Sequence, residues 1–164
     1  MNDTAPFRRL LRLLSEKGLT LAAAESCTGG WFSKSMVDLP GASAVFVGGV
    51  VSYTNDVKMR LLGVPRELLL QYTAVSAPVA EAMAAGVARV TGADIGISVT
   101  GLAGPDGGTE EIPVGRVYIG VFRSGRAEAF PLSLDGDRTE IRREATCRMA
   151  NTLVKLLSTE ENEI

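Results

Sequence analysis

Thr20-Leu21-Ala22-Ala23-Ala24-Glu25-Ser26-Cys27-Thr28-Gly29-Gly30 runs from a short apolar segment into small polar side chains and then a glycine pair. The apolar part reads as a buried strand, and residues 31–37 beyond the glycines read as a helix. The junction between them is a strand–loop–helix turn. Such a turn places its loop at the carboxyl end of a strand, where α/β proteins bind their ligands.

Working outward, Phe7, Leu10, Leu11 and Leu14 recur at helical spacing, with Arg8, Arg9, Arg12 and Glu16 on the opposite side and Gly18 as the stop. Residues 45–54 are β-rich, and Gly48-Gly49 marks a bulge or a close backbone approach. Asn55 is placed to cap a short helix to Leu62, and Pro65 to open another to Tyr72. Ser76 is placed to cap a third, whose stripe is Val79, Met83, Val87 and Val90. Residues 95–99 read as a strand that feeds a second glycine-rich loop, Gly101 to Gly108. A hairpin over 114–134 turns at Ser124-Gly125. Asp135 or Asp137 then begins a last helix with Ile141, Ala145, Met149, Leu153 and Leu156 on one face, and residues 159–164 read as a frayed acidic tail. The alternation implies a single α/β domain over 1–164: a three-layer α/β/α sandwich with a mixed sheet, because the hairpin follows the crossover strands.

Composition narrows the chemistry. With 164 residues, 46% hydrophobic and 22% charged, the chain is sized for one globular domain. The net charge of −2 comes without a basic stripe, so no nucleic-acid partner is expected. No apolar run reaches membrane-spanning length, and Met1-Asn2-Asp3-Thr4 begins no secretory leader. Cys27 and Cys147 form neither a metal pattern nor a disulfide framework. A cytoplasmic location, no membrane partner and no metal or cofactor are therefore expected. There are no histidines. That removes Ser-His-Asp and Cys-His hydrolases and leaves Lys, Tyr, Asp or Glu to move protons.

Ser26 at the head of a helix can attack a carbonyl while backbone N–H groups hold the oxyanion. It can equally be a plain helix cap. Cys27 is a rival nucleophile, or a small buried hydrophobe. A serine without histidine needs a neutral lysine. Of Lys17, Lys34, Lys58 and Lys155, only Lys58 lies just past a strand end among polar groups, although a surface helix position is the plainer alternative. An unperturbed lysine is only about one part in a thousand neutral near pH 7.4, so the base must be buried or set beside another cation. The Gly101–Gly108 loop can cradle a polar ligand or be an ordinary loop; it matches neither nucleotide fingerprint. Asp106, Glu110 and Glu111 make no ligand ladder for a cation. Arg142 or Arg143 can reach a phosphate or lie on a helix surface.

Ala24 to Gly30, Tyr53 to Lys58, Ala74-Val75-Ser76 and Thr100 to Gly108 together resemble the CinA C-terminal family, whose enzymatic members are nicotinamide-nucleotide amidases. The resemblance spans the first helix to the last. It implies hydrolysis of nicotinamide mononucleotide to nicotinate mononucleotide and ammonia, in pyridine-nucleotide recycling, without a cofactor. By motif position, Ser26 is the nucleophile, Lys58 the general base and Tyr53 an orienting or relaying group. Thr28, Gly29 and Gly30 would bind the oxyanion. Thr100, Gly101, Gly104, Gly107 and Gly108 would line the pocket, and Arg142 or Arg143 would face the phosphate. The N-terminal domain of many relatives, linked with pyrophosphatase-type activity, has no counterpart here, so that activity is not expected. A silent regulatory domain is the alternative, and a homo-oligomer, most simply a dimer, is expected.

Overall fold

The computed structural model describes residues 4–159. Helix α1 (Ala5–Lys17) leads into β1 (Leu21–Glu25), α2 (Trp31–Val37), a short 3-10 turn (Ala42–Ala44) and β2 (Phe46–Val51). There follow α3 (Asn55–Leu62), α4 (Arg66–Tyr72), α5 (Ala77–Thr91), β3 (Ile95–Gly101), the hairpin β4 (Arg116–Arg123) and β5 (Arg126–Ser133), and α6 (Arg138–Thr159). The five strands form one sheet in the order β2-β1-β3-β4-β5. β1, β2 and β3 run parallel, and β4 pairs antiparallel with both β3 and β5, which makes the sheet mixed.

Every residue of β1 is buried, because its alternating side chains enter two different cores. Leu21 and Ala23 join Phe7, Leu10 and Leu14 of α1, Phe32 of α2 and the inner face of α6. Ala22 and Ala24 join Leu62 of α3, Leu69 of α4 and Val79, Met83 and Val87 of α5. This is the α/β/α sandwich expected from the element order. The chain leaves β1 toward β2 on one side of the sheet and later returns to β3 on the other. The carboxyl ends of β1 and β3 therefore flank the switch point where such sheets open a crevice.

The two layers pack by different means. On the α1/α6 side large aliphatic side chains fill the space, whereas α5 lies almost directly on the backbone of β3 and β4. A Cβ on Gly96 would overlap the Ala84 carbonyl, and one on Gly120 would overlap the Ala80 carbonyl. The Ser98 hydroxyl donates to that same Ala80 oxygen at 2.6 Å. This explains a departure from the apolar stripe read for this helix. Val90 is half-exposed, while Ala80, Ala84 and Ala88 share the buried side, because only methyl groups fit there.

Other local differences are small. Thr54 rather than Asn55 caps α3, its hydroxyl accepting from the Val57 amide at 3.4 Å. Pro65 stands just before α4 rather than inside it. Asp137 begins α6 in a reciprocal capping box with Glu140, each side chain accepting from the other's amide at 2.8 Å. Leu157 rather than Leu156 completes the buried stripe of α6. That helix runs through Thr159, and the rest of the predicted tail lies outside the described residues. Both readings of Gly48-Gly49 are realised. The β1–β2 register slips at Val47, and Gly49 lets α2 approach so closely that a Cβ would stand 2.6 Å from the Ser33 hydroxyl.

The backbone-to-backbone packing of α5 has a measurable consequence. Gly96→Ala must push the helix off the sheet, so urea unfolding should show a loss of about 2–3 kcal/mol. An unchanged midpoint would mean that α5 is free to move outward.

Candidate active site

Ser26 follows directly on β1, and its amide donates to Val99 O of β3 at 3.1 Å, which fixes it at the crevice. The chain then turns back: the Gly29 amide donates to Ser26 O at 3.1 Å, and Gly29 and Gly30 take φ values of 62° and 98°. Those left-handed conformations require glycine at both positions. Lys58 arrives from α3 on the other side of the crevice. Its side chain is 1% exposed, and Nζ donates to Ser26 Oγ at 2.9 Å, to Ser52 O at 2.7 Å and to Tyr53 O at 3.4 Å. These partners are a hydroxyl and two carbonyls; none carries the negative charge that would hold an ammonium. Burial accordingly lowers the Lys58 pKa from 10.5 to about 8, with Cys27 pulling weakly the other way.

Cys27 is adjacent but differently placed. Burial pushes its thiol from 9.0 up to about 11, and the nearby charges of Lys58 and Arg142 do not offset this. The thiol is therefore protonated near neutral pH and a poor nucleophile. The structure separates two neighbours that sequence alone leaves as rivals.

The expected free helix N-terminus is already occupied. Glu25 is fully buried, and its carboxylate accepts from the Thr28 hydroxyl at 2.6 Å and the Phe32 amide at 2.8 Å. Its other oxygen accepts from the Ser33 amide at 2.9 Å and the Ser33 hydroxyl at 2.7 Å. Glu25 is thus the anion at the start of α2 and braces the turn from within. The Thr28 side chain serves this brace rather than the crevice. Among the described residues, the Thr28 and Gly30 amides have no protein acceptor, and the Cys27 amide lies beside its own sulfur.

A cavity of 290 Å³ opens beside the dyad. Ser26, Cys27 and Lys58 meet Thr100, Gly101 and the loop to Gly104 there, with Ala74, Val75, Tyr53, Asn55, Asp106 and Arg138 completing its walls. Thr100 donates to Ala74 O at 2.8 Å and so ties β3 to the start of α5. A side chain at Gly101 would strike Val117 and the Arg116 carbonyl. Tyr53 meets Lys58 through its carbonyl, not its phenol. The phenol oxygen instead accepts from Arg138 at 3.2 Å, and the same guanidinium donates to Gly104 O at 2.7 Å.

The structure does not bring every expected residue to this cavity. Thr28, Gly29, Gly30, Gly107 and Gly108 lie outside its lining, the first three bordering a separate depression with Trp31, Lys34 and Arg142. Arg142 donates to Cys27 O at 2.9 Å and Thr28 O at 3.0 Å and lies 5.5 Å from the Trp31 ring centre, behind the turn. Arg143 is exposed on a different face, beside Phe7 and Trp31. Arg138 is the arginine in the cavity wall. The sequence analysis selects Arg142 and Arg143 but not Arg138, which lies one helical turn before Arg142. A larger depression of 550 Å³ at the β4–β5 hairpin contains no comparable nucleophile and base. Among the described residues no group of three or more Cys, Asp or Glu side chains is arranged to hold a metal, and no helix is long and apolar enough to cross a membrane.

Comparison with known proteins agrees with this arrangement of elements. The CinA-like protein of Dictyoglomus turgidum is 50% identical over 133 residues, covering 81% of this chain and 32% of that protein. Its counterpart in Dictyoglomus thermophilum is 53% identical over 130 residues, again 32% of its length. The chain thus spans about a third of these relatives. Among solved structures, a CinA superfamily protein from Klebsiella pneumoniae superposes with a TM-score of 0.93 at 30% identity, covering 97% of this chain and 99% of that one. A competence/damage-inducible protein from Agrobacterium tumefaciens gives 0.90 at 36% identity, covering 95% and 96%. The family model of the CinA C-terminal domain matches residues 4–157. The chain belongs to the CinA C-terminal domain family.

Proposed function

We propose that this protein is a Ser/Lys amidohydrolase that removes ammonia from the exocyclic carboxamide of a nicotinamide nucleotide, nicotinamide mononucleotide being the substrate implied by the family. The observation that carries the reading is the hydrogen bond between Lys58 Nζ and Ser26 Oγ, buried beside an open cavity with no counter-charge on the lysine. A lysine with pKa near 8 is about one-quarter neutral at pH 7.5, against about one part in a thousand for an unperturbed one. The base is therefore available without histidine.

Neutral Lys58 takes the Ser26 proton as Oγ bonds to the carboxamide carbon. The oxygen becomes an oxyanion, which hydrogen-bond donors at the cavity would stabilise. The Lys58 ammonium then returns a proton to the departing nitrogen, which leaves as ammonia, and an acyl-Ser26 ester remains. Water, deprotonated by the same lysine, opens the ester, and the lysine returns that proton to the departing Ser26 oxygen, so that amide and water become carboxylate and ammonium. No other reactant is consumed. Arg138, held between Tyr53 and Gly104 at the cavity wall, is the cation best placed for a substrate phosphate. Tyr53 positions the lysine through its carbonyl and the arginine through its phenol.

Incubation with nicotinamide mononucleotide should release equimolar ammonia and nicotinate mononucleotide, and Ser26→Ala and Lys58→Ala should each lower turnover by at least about a thousandfold. Binding of the nucleotide without turnover would leave a silent sensor in place of the enzyme. Cys27→Ala should keep most of the activity; abolition by it, with Ser26→Ala still active, would reassign the nucleophile.

The pH dependence follows from the direction of the lysine shift. The alkaline form is the working one, so kcat/KM should rise with pH along a limb centred near 8 and absent from a histidine-like range near 6.5. The same ionisation acts on stability. The folded pKa of about 8 lies below the unfolded value of 10.5, so the unfolded chain binds the extra proton between them. The stability from neutral Lys58 is full above about 10.5 and is lost as pH falls through 8. Relative to Lys58→Met, the wild type should therefore gain in urea midpoint from pH 8 to pH 10. Cys27 titrates in both proteins, so parallel curves would deny the shift in Lys58.

A further inference from the structure

Where β1 ends, β3 keeps a backbone donor without an acceptor. Alternate residues of β3 turn their N–H and C=O toward β1: Ile95 N donates to Thr20 O at 3.0 Å, and Val99 O accepts from Ser26 N at 3.1 Å. The residues between them face β4, as Leu102 N does in donating to Arg116 O at 3.0 Å. Gly101 is the next member of the row that faces β1. Had β1 run straight on in the same register, Ser26 O would be its acceptor, just as Thr20 O is the acceptor for Ile95. The chain turns aside instead. Ser26 O accepts from the Gly29 amide, and the Gly101 N–H has no protein acceptor among the described residues.

The strand pairing brings this donor to the nucleophile. Side chains at the end of β1 alternate between the two layers, Glu25 reaching α2 and Ser26 reaching Lys58 of α3. Thr100 lies across from Ser26, one step beyond the Glu25–Val99 pair, and its side chain points to the same layer, where it bonds Ala74 O. Ser26, Thr100 and Gly101 all line the one cavity. Neighbouring strands are about 4.8 Å apart. A carboxamide carbon bonded to Ser26 Oγ places its oxygen in that gap, where a donor at about 2.7–3.1 Å can meet it.

The other donors of this strand end are committed. Ser26 N is spent on Val99 O, Leu102 N on Arg116 O and the Thr100 hydroxyl on Ala74 O. Gly101 is also firmly held: β4 backs it so closely that a Cβ would stand 2.7 Å from Val117 Cγ2 and 2.9 Å from Arg116 O. A donor fixed by the sheet needs no reorganisation when charge develops. We infer that the Gly101 backbone amide is a catalytic donor to the oxyanion formed at Ser26. This rests on the amidohydrolase reading for its chemistry, and its test separates the two.

The experiment replaces Gly101 with glycolic acid in the full chain. The Thr100–Gly101 amide becomes an ester of the same shape without the N–H, and thermal unfolding is the fold control. With nicotinamide mononucleotide, kcat should fall about 10²–10³-fold with KM little changed, the signature of a contact made only in the transition state. A kcat within threefold of wild type overturns the inference. If the wild type does not hydrolyse the mononucleotide, the substrate reading falls, and the burst rate of Ser26 acylation by p-nitrophenyl acetate is compared instead. A burst slowed by the ester supports the donor, and an equal burst removes it. Absence of a burst from the wild type removes Ser26 as nucleophile and the donor with it. If the ester-linked chain fails to fold, the wild type is titrated with pyridine-3-boronic acid. Ser26 Oγ bonds to boron, its proton passes to Lys58, and a boronate oxygen takes the place of the oxyanion. The Gly101 amide proton should then move downfield in the NMR spectrum, and an unmoved one overturns the inference.

Discussion

An ammonium group without a counter-ion in a dry place is the constraint on which this molecule turns. Lys58 has a hydroxyl and two carbonyls around its nitrogen and almost no water. Water would solvate the charged form well, and the protein solvates it poorly, so the proton is held loosely. An aspartate at the same distance would reverse the effect, stabilising the charge and leaving a strong ion pair with no base. What matters at the site is therefore partly what is kept away. The cavity wall does include Asp106, but Lys58 is packed against backbone and serine rather than against it.

The fold supplies this environment through long-range pairing. Ser26 and Lys58 are far apart in sequence and meet because β1 and β2 pair in parallel, so that the chain leaving each strand emerges at the same end of the sheet. Ser52 joins the two segments: its amide and hydroxyl donate to Glu25 O while its carbonyl accepts from Lys58. Glu25 does likewise, with its backbone in the sheet and its side chain at the head of α2. Ser26 is thus braced by neighbours whose own hydrogen bonds are nearly all spent on structure.

Much of this was readable from the chain. The strand–loop–helix junction at Ser26, the strand end before Lys58 and the missing histidines required only local pattern and composition. The three-layer architecture followed from the order of elements. What escaped depended on tertiary rotation. Nothing in the spacing of Arg138, Arg142 and Arg143 says which side of α6 faces the crevice, and only the docked helix separates a cavity arginine from one behind the turn and one in solvent. Glu25 reads locally as the first polar residue after the strand; its partners at Phe32 and Ser33 become neighbours only when α2 folds back. The stripe on α5 misled for a related reason. Hydrophobicity favours Val90 over Ala84, whereas the gap above β3 admits only a methyl.

The close seat of α5 also bears on how such a sequence can drift. The α1/α6 core is built of large side chains, and there one residue can shrink while a neighbour grows. Beneath α5 backbone meets backbone at Gly96 and Gly120, and at Gly86 the helix meets the carbonyl of Leu62 at the end of α3. No partner on that side has volume to give up. Lys58 is carried on α3, so a methyl added at Gly86 would press on the last residue of the helix that holds the lysine. Sequence change should accumulate unevenly across the sheet, more freely among the large side chains beneath α1 and α6 than at the glycines beneath α5.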